Sequence, residues 1–234
     1  MNLWQDFKLN EGKVVHKWHH YFPIYERHLA RFRNTTITVI EIGVSKGGSL
    51  AMWQRFFGPM ATIIGLDINE RCMEHEAPGI HVRIGDQSDE AFLARVIEEF
   101  GTPDIIIDDG SHIMKHVSAS FNFLYEKMSK SGVYIVEDLH TAYLKEFGGG
   151  LDNPDTFINL SKAFIDDINA FNTEGALAPS PMTHSTFGIS FYDGVIAFER
   201  GSVTPRIHSE TGKIRNFKPR SIIKQIEGAL GGKT

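Results

Sequence analysis

The sequence predicts an α/β fold: a Rossmann-like, doubly wound, mostly parallel sheet of seven strands, closed by an antiparallel hairpin and preceded by a helical cap. Three observations predict it. Five apolar runs follow one another with helical segments between them. The runs are continuous rather than alternating, and two aromatic runs near the end flank an Asp-Gly pair. Continuous apolar strands suit a parallel sheet buried on both faces, whereas a half-exposed sheet would alternate apolar and polar residues.

Taken in order, residues 11–33 read as an aromatic, histidine-rich helical stretch interrupted by Pro23. ITVIEIG (37–43), TIIGLD (62–67), IHVRIG (80–85), DIIIDDG (104–110) and GVYIVED (132–138) are the five parallel strands. Between the third and fourth, 88–100 carries apolar residues at helical spacing behind Ser88, Asp89 and Glu90, which suit a helix N-terminus. The glycines at 148–150 begin a loop, 156–171 reads as a helix, and 185–200 folds back at Asp193 and Gly194 as a hairpin. The expected organisation is a single domain over 1–234. It comprises a cap (1–35), a ligand-binding core (36–145), and an acceptor-side part (146–234) with a helix, the closing hairpin and a C-terminal tail.

The bulk properties exclude several classes. A net charge of −5 without a clustered Lys/Arg stripe gives no footprint for nucleic acid. One cysteine, Cys72, excludes an internal disulfide framework. No signal-peptide pattern opens the chain, and no apolar run reaches the ~18 residues a membrane span needs. A cytoplasmic protein is expected, with homo-oligomer formation left open.

The first strand passes into a helix through EIGVSKGGSL (41–50). Glycines there let the backbone turn tightly and approach a ligand. The lysine of a phosphate loop is missing after Gly48, and Ser45 breaks a dinucleotide fingerprint. What remains is a glycine turn with Glu41 at its entrance. Asp67, ending the second strand, is placed to meet ribose hydroxyls. Asp86 and Gln87, ending the third, could read an adenine amino group. Together these describe an adenosine ligand without a pyrophosphate.

Strands four and five both end in paired acids, DD (108–109) and ED (137–138), the first with His112 three residues on. Neighbouring strand tips lie ~4.8 Å apart, so Asp109, Glu137 and Asp138 should converge. Such a group repels itself unless protonated or neutralised. A hard divalent cation would resolve the conflict, and oxygen ligation favours magnesium over manganese or calcium. Successive strand residues point to opposite faces, so one acid of each doublet could serve structure instead. Asp108 is that candidate, holding the cofactor loop or a helix N-terminus.

EIGVSKGGS, GLD, GDQSD and DDGSH followed by VED resemble the class I S-adenosylmethionine-dependent methyltransferases. Within them, the pattern is similar to the metal-dependent macrolide and rhamnosyl sugar O-methyltransferases, and part of it is shared with the cephalosporin-hydroxylase-like group. The resemblance covers residues 36–145. It implies S-adenosyl-L-methionine as cofactor, bound by Glu41, Gly43, Ser45, Gly47, Ser49, Asp67, Asp86, Gln87 and Asp108. It implies Mg2+, with Mn2+ or Ca2+ as alternatives, held by Asp109, Glu137 and Asp138, and His112 as general base. The reaction implied is methylation of a sugar hydroxyl on a polysaccharide precursor or glycosylated natural product, a small-molecule or glycan acceptor.

Other residues carry weaker expectations. His140 and Tyr143, with Thr141, are candidate acceptor contacts. Trp18, Tyr21, Phe22 and Tyr25 could stack on a sugar or pack on the sheet. His16, His19 and His20 share a helix face but read as packing or lid residues, and Cys72 and His116 as inert. Two rival readings remain: a catechol-type O-methyltransferase on an aromatic diol, and a non-catalytic adenosine-ligand-binding protein. An oxygenase would need a two-histidine-one-carboxylate iron site, of which Asp109 and His112 supply half.

Overall fold

The five Ile- and Val-rich runs form β1 (Ile37–Ile42), β2 (Ala61–Asp67), β3 (Ile80–Ile84), β4 (Ile105–Asp108) and β5 (Val133–Val136). The hairpin supplies β6 (Thr186–Tyr192) and β7 (Val195–Arg200). This computed structural model describes residues 2–212, so the C-terminal tail from 213 onward lies outside the described residues. One compact unit spans Met1–Thr204, and a second begins at Pro205. The sheet order is β3-β2-β1-β4-β5-β7-β6, parallel through β5, with β7 antiparallel to both neighbours. Strand order reverses between β1 and β4, the place where open α/β sheets open a crevice for ligands.

The period of two along each strand explains why the runs are continuous. Val39, Ile63, Ile105, Ile107, Val133 and Ile135 face one layer, with α2 (Phe22–Leu29) and α3 (Gly48–Phe57) packed on it. Ile40, Ile64, Ile106, Tyr134 and Val136 face the other, under α4 (Glu90–Phe100), α5 (Met114–Leu124) and α6 (Phe157–Ile168). Both faces are covered, so apolar residues occupy both register positions along most of the sheet. Asp89 caps α4, accepting from the Ala91 N–H at 2.9 Å, and α7, the last helix among the described residues, is Pro181–Ser185. Among the described residues no helix is long and apolar enough to cross a membrane.

The N-terminal stretch departs from expectation. Residues 11–33 are not one helix. α1 (Leu3–Lys8) is followed by an irregular strap over 9–18, a 3₁₀ turn at His19–Tyr21 and then α2. Gly12 and the β-branched pair Val14-Val15 disfavour helix there, and the side chains of 17 and 18 are captured elsewhere. Pro23 does not interrupt a helix but sits in the first turn of α2, where its missing N–H has no partner to lose.

α2 also carries a buried imidazole. His28 Nε2 lies 2.9 Å from the Tyr192 hydroxyl and Nδ1 lies 3.7 Å from Glu199. Burial lowers its pKa below the usual imidazole value, outweighing the pull of Glu199. The unfolded chain therefore takes up the proton first. The stability that His28 contributes is present above about pH 6.5 and is lost as pH falls through the folded value. His28→Gln is expected to flatten the fall in thermal midpoint between about pH 7 and pH 5. An acid profile parallel to that of the unchanged protein would contradict this.

Candidate active site

β1, β4 and β5 end in adjacent register, with Glu41 beside Ile107 and Asp108 beside Val136. The ladder continues past the strand ends: Asp109 donates its N–H to Ile42 and Glu137 to Asp108, each at 2.9 Å. Because side chains alternate, Glu41, Asp109 and Glu137 share the face of Ile107 and Ile135, while Asp108 takes the face of Ile106. The two doublets are thus split. Asp108 is 1% exposed and accepts from Gln87, Ser120 and Tyr134 at 3.1, 2.7 and 3.0 Å, pinning α5 and the β3 loop to the sheet.

Two of the expected cofactor contacts, Asp108 and Gln87, are occupied by protein partners. Asp108 is enclosed by protein donors and holds the middle of α5, not a helix N-terminus. Gln87 is also buried, its amide donating to Asp108 and Ser120 and its carbonyl oxygen accepting the Ser111 N–H at 2.7 Å. Both of its amide hydrogens are taken, so it has no donor free for a purine. Asp86 is turned to its own loop, accepting from the Ser88 N–H and hydroxyl, and these bonds hold its carboxyl below the usual range.

The glycine turn is held in left-handed backbone conformations. Gly43 and Gly47 have φ of +95° and +70°, and Ser45, at +49°, shares the left-handed region that side chains avoid. Asp67 Oδ2 accepts the N–H groups of Val44 and Ser45, and Oδ1 accepts that of Asn69. Burial would raise its carboxyl, but these bonds outweigh burial and hold it below the usual range. Asp67 therefore shapes the turn as well as ending β2. Beside it Ile68 is 72% exposed. Glu41 is fully buried, accepting from Ser49 at 2.7 Å and Trp53 at 3.0 Å, so it anchors the turn to α3 from beneath.

A Cβ on Gly43 would lie 2.0 Å from the Asp109 carbonyl oxygen. The cofactor turn and the acidic loop thus touch through a position that admits no side chain. Gly43→Ala is expected to lower stability by about 2 kcal/mol or more. That corresponds to a thermal midpoint about 5 °C lower. An unchanged midpoint would mean that the two loops are not in contact.

The acids converge. Asp109 uses Oδ2 on the Lys17 ammonium at 2.6 Å, and Asp138 uses Oδ1 on the Tyr21 hydroxyl at 2.8 Å and the Trp18 indole at 3.0 Å. Each turns its other oxygen to His112 Nε2, Asp109 Oδ1 at 3.9 Å and Asp138 Oδ2 at 3.8 Å. One ligand atom from each of Asp109, His112 and Asp138 lies within 4.8 Å of the others. His112 and Asp138 are both left-handed, with φ of +57° and +52°. Strain of this kind in non-glycine residues collects at functional sites.

Glu137, expected as a ligand beside Asp109 and Asp138, lies outside that group. It is 2% exposed, with Oε1 accepting from Tyr25 at 2.7 Å and Oε2 from Lys17 at 2.9 Å. Lys17 also lies 3.4 Å from Glu41. The Glu137 carboxyl is pushed up to about 8 by burial, which Lys17 opposes and Asp109 reinforces. Burial alone would lower the Lys17 pKa, but Asp109 and Glu137 outweigh it and raise the value well above normal. The two shifts differ in origin: burial sets the direction at Glu137, and the neighbouring carboxylates set it at Lys17.

These groups open into a cleft of about 450 Å³ lined by the strap, the glycine turn and the tips of β4 and β5. Gly43, Ser45 and Ser49 line it, with Asp109, His112, Glu137 and Asp138; His140 and Tyr143 do not. Tyr143 is 52% exposed outside the cleft, and His140 lies at its edge, its ring centre 6.0 Å from that of Trp18 and its Nδ1 4.0 Å from Asp138 Oδ1. Lys17 went unread in the sequence because its stretch looked helical. A carboxylate cluster calls for an internal cation as well as a metal, and that was the available signal.

A parallel sheet in this order, a glycine turn after β1 and acids at the tips of β4 and β5 define the Rossmann-like methyltransferase fold. No protein-family model matches the chain. The chain is a homologue of sugar and macrolide O-methyltransferases. It is 35% identical to the mycinamicin VI 2''-O-methyltransferase of Micromonospora griseorubida over 228 residues, 92% of this chain and 55% of the relative. It is 36% identical over 213 residues to the 8-demethyl-8-alpha-L-rhamnosyl tetracenomycin-C 2'-O-methyltransferase of Streptomyces olivaceus, 86% of this chain and 55% of that one. A solved structure of MycE methyltransferase from the mycinamycin pathway, in complex with Mg, SAH and mycinamycin VI, superposes with a TM-score of 0.77. That pair is 32% identical, covering 97% of this chain and 58% of MycE. The chain therefore spans a little over half the length of these relatives.

Proposed function

We propose that this chain is an S-adenosylmethionine- and divalent-metal-dependent O-methyltransferase acting on a sugar hydroxyl of a polysaccharide precursor or a glycosylated small molecule. One observation carries the reading. Asp109 Oδ1, Asp138 Oδ2 and His112 Nε2 are turned toward one point, beside a glycine turn built to cradle a ligand. The relatives support the same reading, since they methylate sugar hydroxyls by name and one was crystallised with Mg and SAH.

The donor set fits a hard cation. Its oxygens are carboxylate, two of them turned away from protein donors, and the net charge of the cluster is negative. Glu41, Asp109 and Glu137 around Lys17, with Asp138 facing Asp109 across His112, complement a divalent ion together with a sulfonium. When bound, such an ion supplies charge stabilisation for a hydroxyl losing its proton.

The chain's own residues do the rest. Asp109 and Asp138 would hold the metal, each oriented by bonds to its second oxygen. Glu137 joins them only if it exchanges a present partner. His112 Nε2 is placed to accept the proton of an acceptor hydroxyl, the role an imidazole serves near neutral pH. Ser45, Gly47 and Asp67 fix the turn that takes the cofactor, with the exposed Ile68 as an apolar face for its base. Trp18, 49% exposed, offers a ring at the mouth of the cleft for a sugar. A cytoplasmic setting belongs to the same proposal and is supported by the lone, buried Cys72.

The test is a cofactor-turnover assay with alkyl rhamnosides, alkyl glucosides and catechol, with and without EDTA. Methylation of a glycoside, lost in EDTA and restored by Mg2+, is expected. Turnover of catechol alone, or turnover that survives chelation, would contradict the proposal.

A further inference from the structure

We infer that Lys17 is a tethered competitor of the divalent cation: its ammonium holds carboxylate oxygens of Asp109 and Glu137 that the metal would otherwise share, and so sets how tightly the metal binds. The inference rests on the proposed metal site and goes beyond it to the residue that tunes it.

Three observations carry it. The Lys17 ammonium lies 2.6 Å from Asp109, 2.9 Å from Glu137 and 3.4 Å from Glu41, with its side chain 3% exposed. It therefore stands inside the acid cluster as a cation already supplied by the chain. Glu137 is left out of the group able to close on one ion, and the atom holding its Oε2 is the Lys17 ammonium. Only by releasing or sharing that bond can Glu137 take part in holding a metal.

The third observation is the segment that carries Lys17. Among the described residues no backbone–backbone hydrogen bond holds 11–17. The strap is fastened at this end by side chains, Lys17 on Asp109 and Glu137 and Trp18 on Asp138. It also lies close over the glycine turn, since a Cβ on Gly48 would meet the Val14 carbonyl oxygen at 2.2 Å. A lysine on a strand could not leave its place without breaking the sheet. On this strap, it can withdraw at the cost of its own ion pairs. A divalent ion and the ammonium thus draw on the same oxygens, and removing the ammonium leaves the carboxylates to the metal.

The experiment measures Mn2+ binding, by the electron paramagnetic resonance of the free ion, to the unchanged protein and to K17M and K17R. K17M, which keeps the length and loses the charge, is expected to bind Mn2+ about tenfold tighter or more, because a like charge within a few ångströms has gone. K17R should stay close to the unchanged protein. Equal or weaker binding by a folded K17M would overturn the inference while leaving the metal site in place. Absence of Mn2+ binding by every protein would overturn the metal site and the inference together.

A second measurement does not depend on the variant folding. Trypsin should cleave the unchanged protein after Lys13 and Lys17 faster as Mn2+ is added. Constant or slower cleavage there would overturn the competition.

Discussion

Asp109→Asn is expected to abolish methyl transfer, leaving turnover at the level of the EDTA-treated protein. The Asp109 side chain meets the site from both ends: Oδ2 neutralises Lys17, and Oδ1 faces His112 and Asp138. Asparagine keeps the shape and one acceptor but removes the charge. A neutral amide cannot replace a carboxylate toward a hard cation. Altering even an outer partner of a metal ligand costs 10–100-fold in affinity, so losing the ligand should cost at least roughly 100-fold. Asp108→Asn provides the contrast one residue away. It should leave Mn2+ affinity unchanged and lower the thermal midpoint, because Asp108 accepts three buried hydrogen bonds from α5, β5 and the β3 loop. If Asp108→Asn lost the metal and Asp109→Asn kept it, the division of the doublet would be wrong.

His112→Ala is expected to cut kcat by roughly 10²- to 10⁴-fold, the range for removing a general base. Binding of S-adenosylhomocysteine should stay within about twofold, because the ring's neighbours are Asp109, Asp138 and Phe147, none of them in the glycine turn. The backbone complicates the reading, since His112 is left-handed and alanine dislikes that region. His112→Asn is the control, since asparagine tolerates the conformation but cannot accept a proton at neutral pH. Both variants should lose turnover alike. If the asparagine variant regained activity, the imidazole would be a structural group and not the base. If both lost S-adenosylhomocysteine binding, His112 would belong to the cofactor cradle.

Much of the fold could be read from the chain because both faces of the sheet are buried. Ile- and Val-rich runs separated by helical segments read as parallel strands, and Asp193-Gly194 between aromatic runs marked the hairpin. The rule that side chains alternate along a strand already divided the acids, and it put Asp108 on the far side from Asp109. What it left unsaid was the strength of that division: Gln87 and Asp108 are both sealed against α5, where protein donors satisfy them. The N-terminal stretch misled because aromatic and histidine spacing imitates a helix. Its conformation is set by where Lys17 and Trp18 are captured, by residues more than 90 positions along the chain. Local pattern carries no trace of such contacts. The partners of Glu137 were hidden for the same reason, since Tyr25 and Lys17 reach it only once the cap is folded onto the strand tips.

The most direct test is a crystal grown with S-adenosylhomocysteine and soaked in Mn2+, examined for anomalous scattering. A single peak within bonding distance of Asp109 Oδ1 and Asp138 Oδ2, next to the sulfur of the bound nucleoside, is what the account predicts. A cofactor-loaded crystal with no peak there, or with the ion held elsewhere, would contradict it.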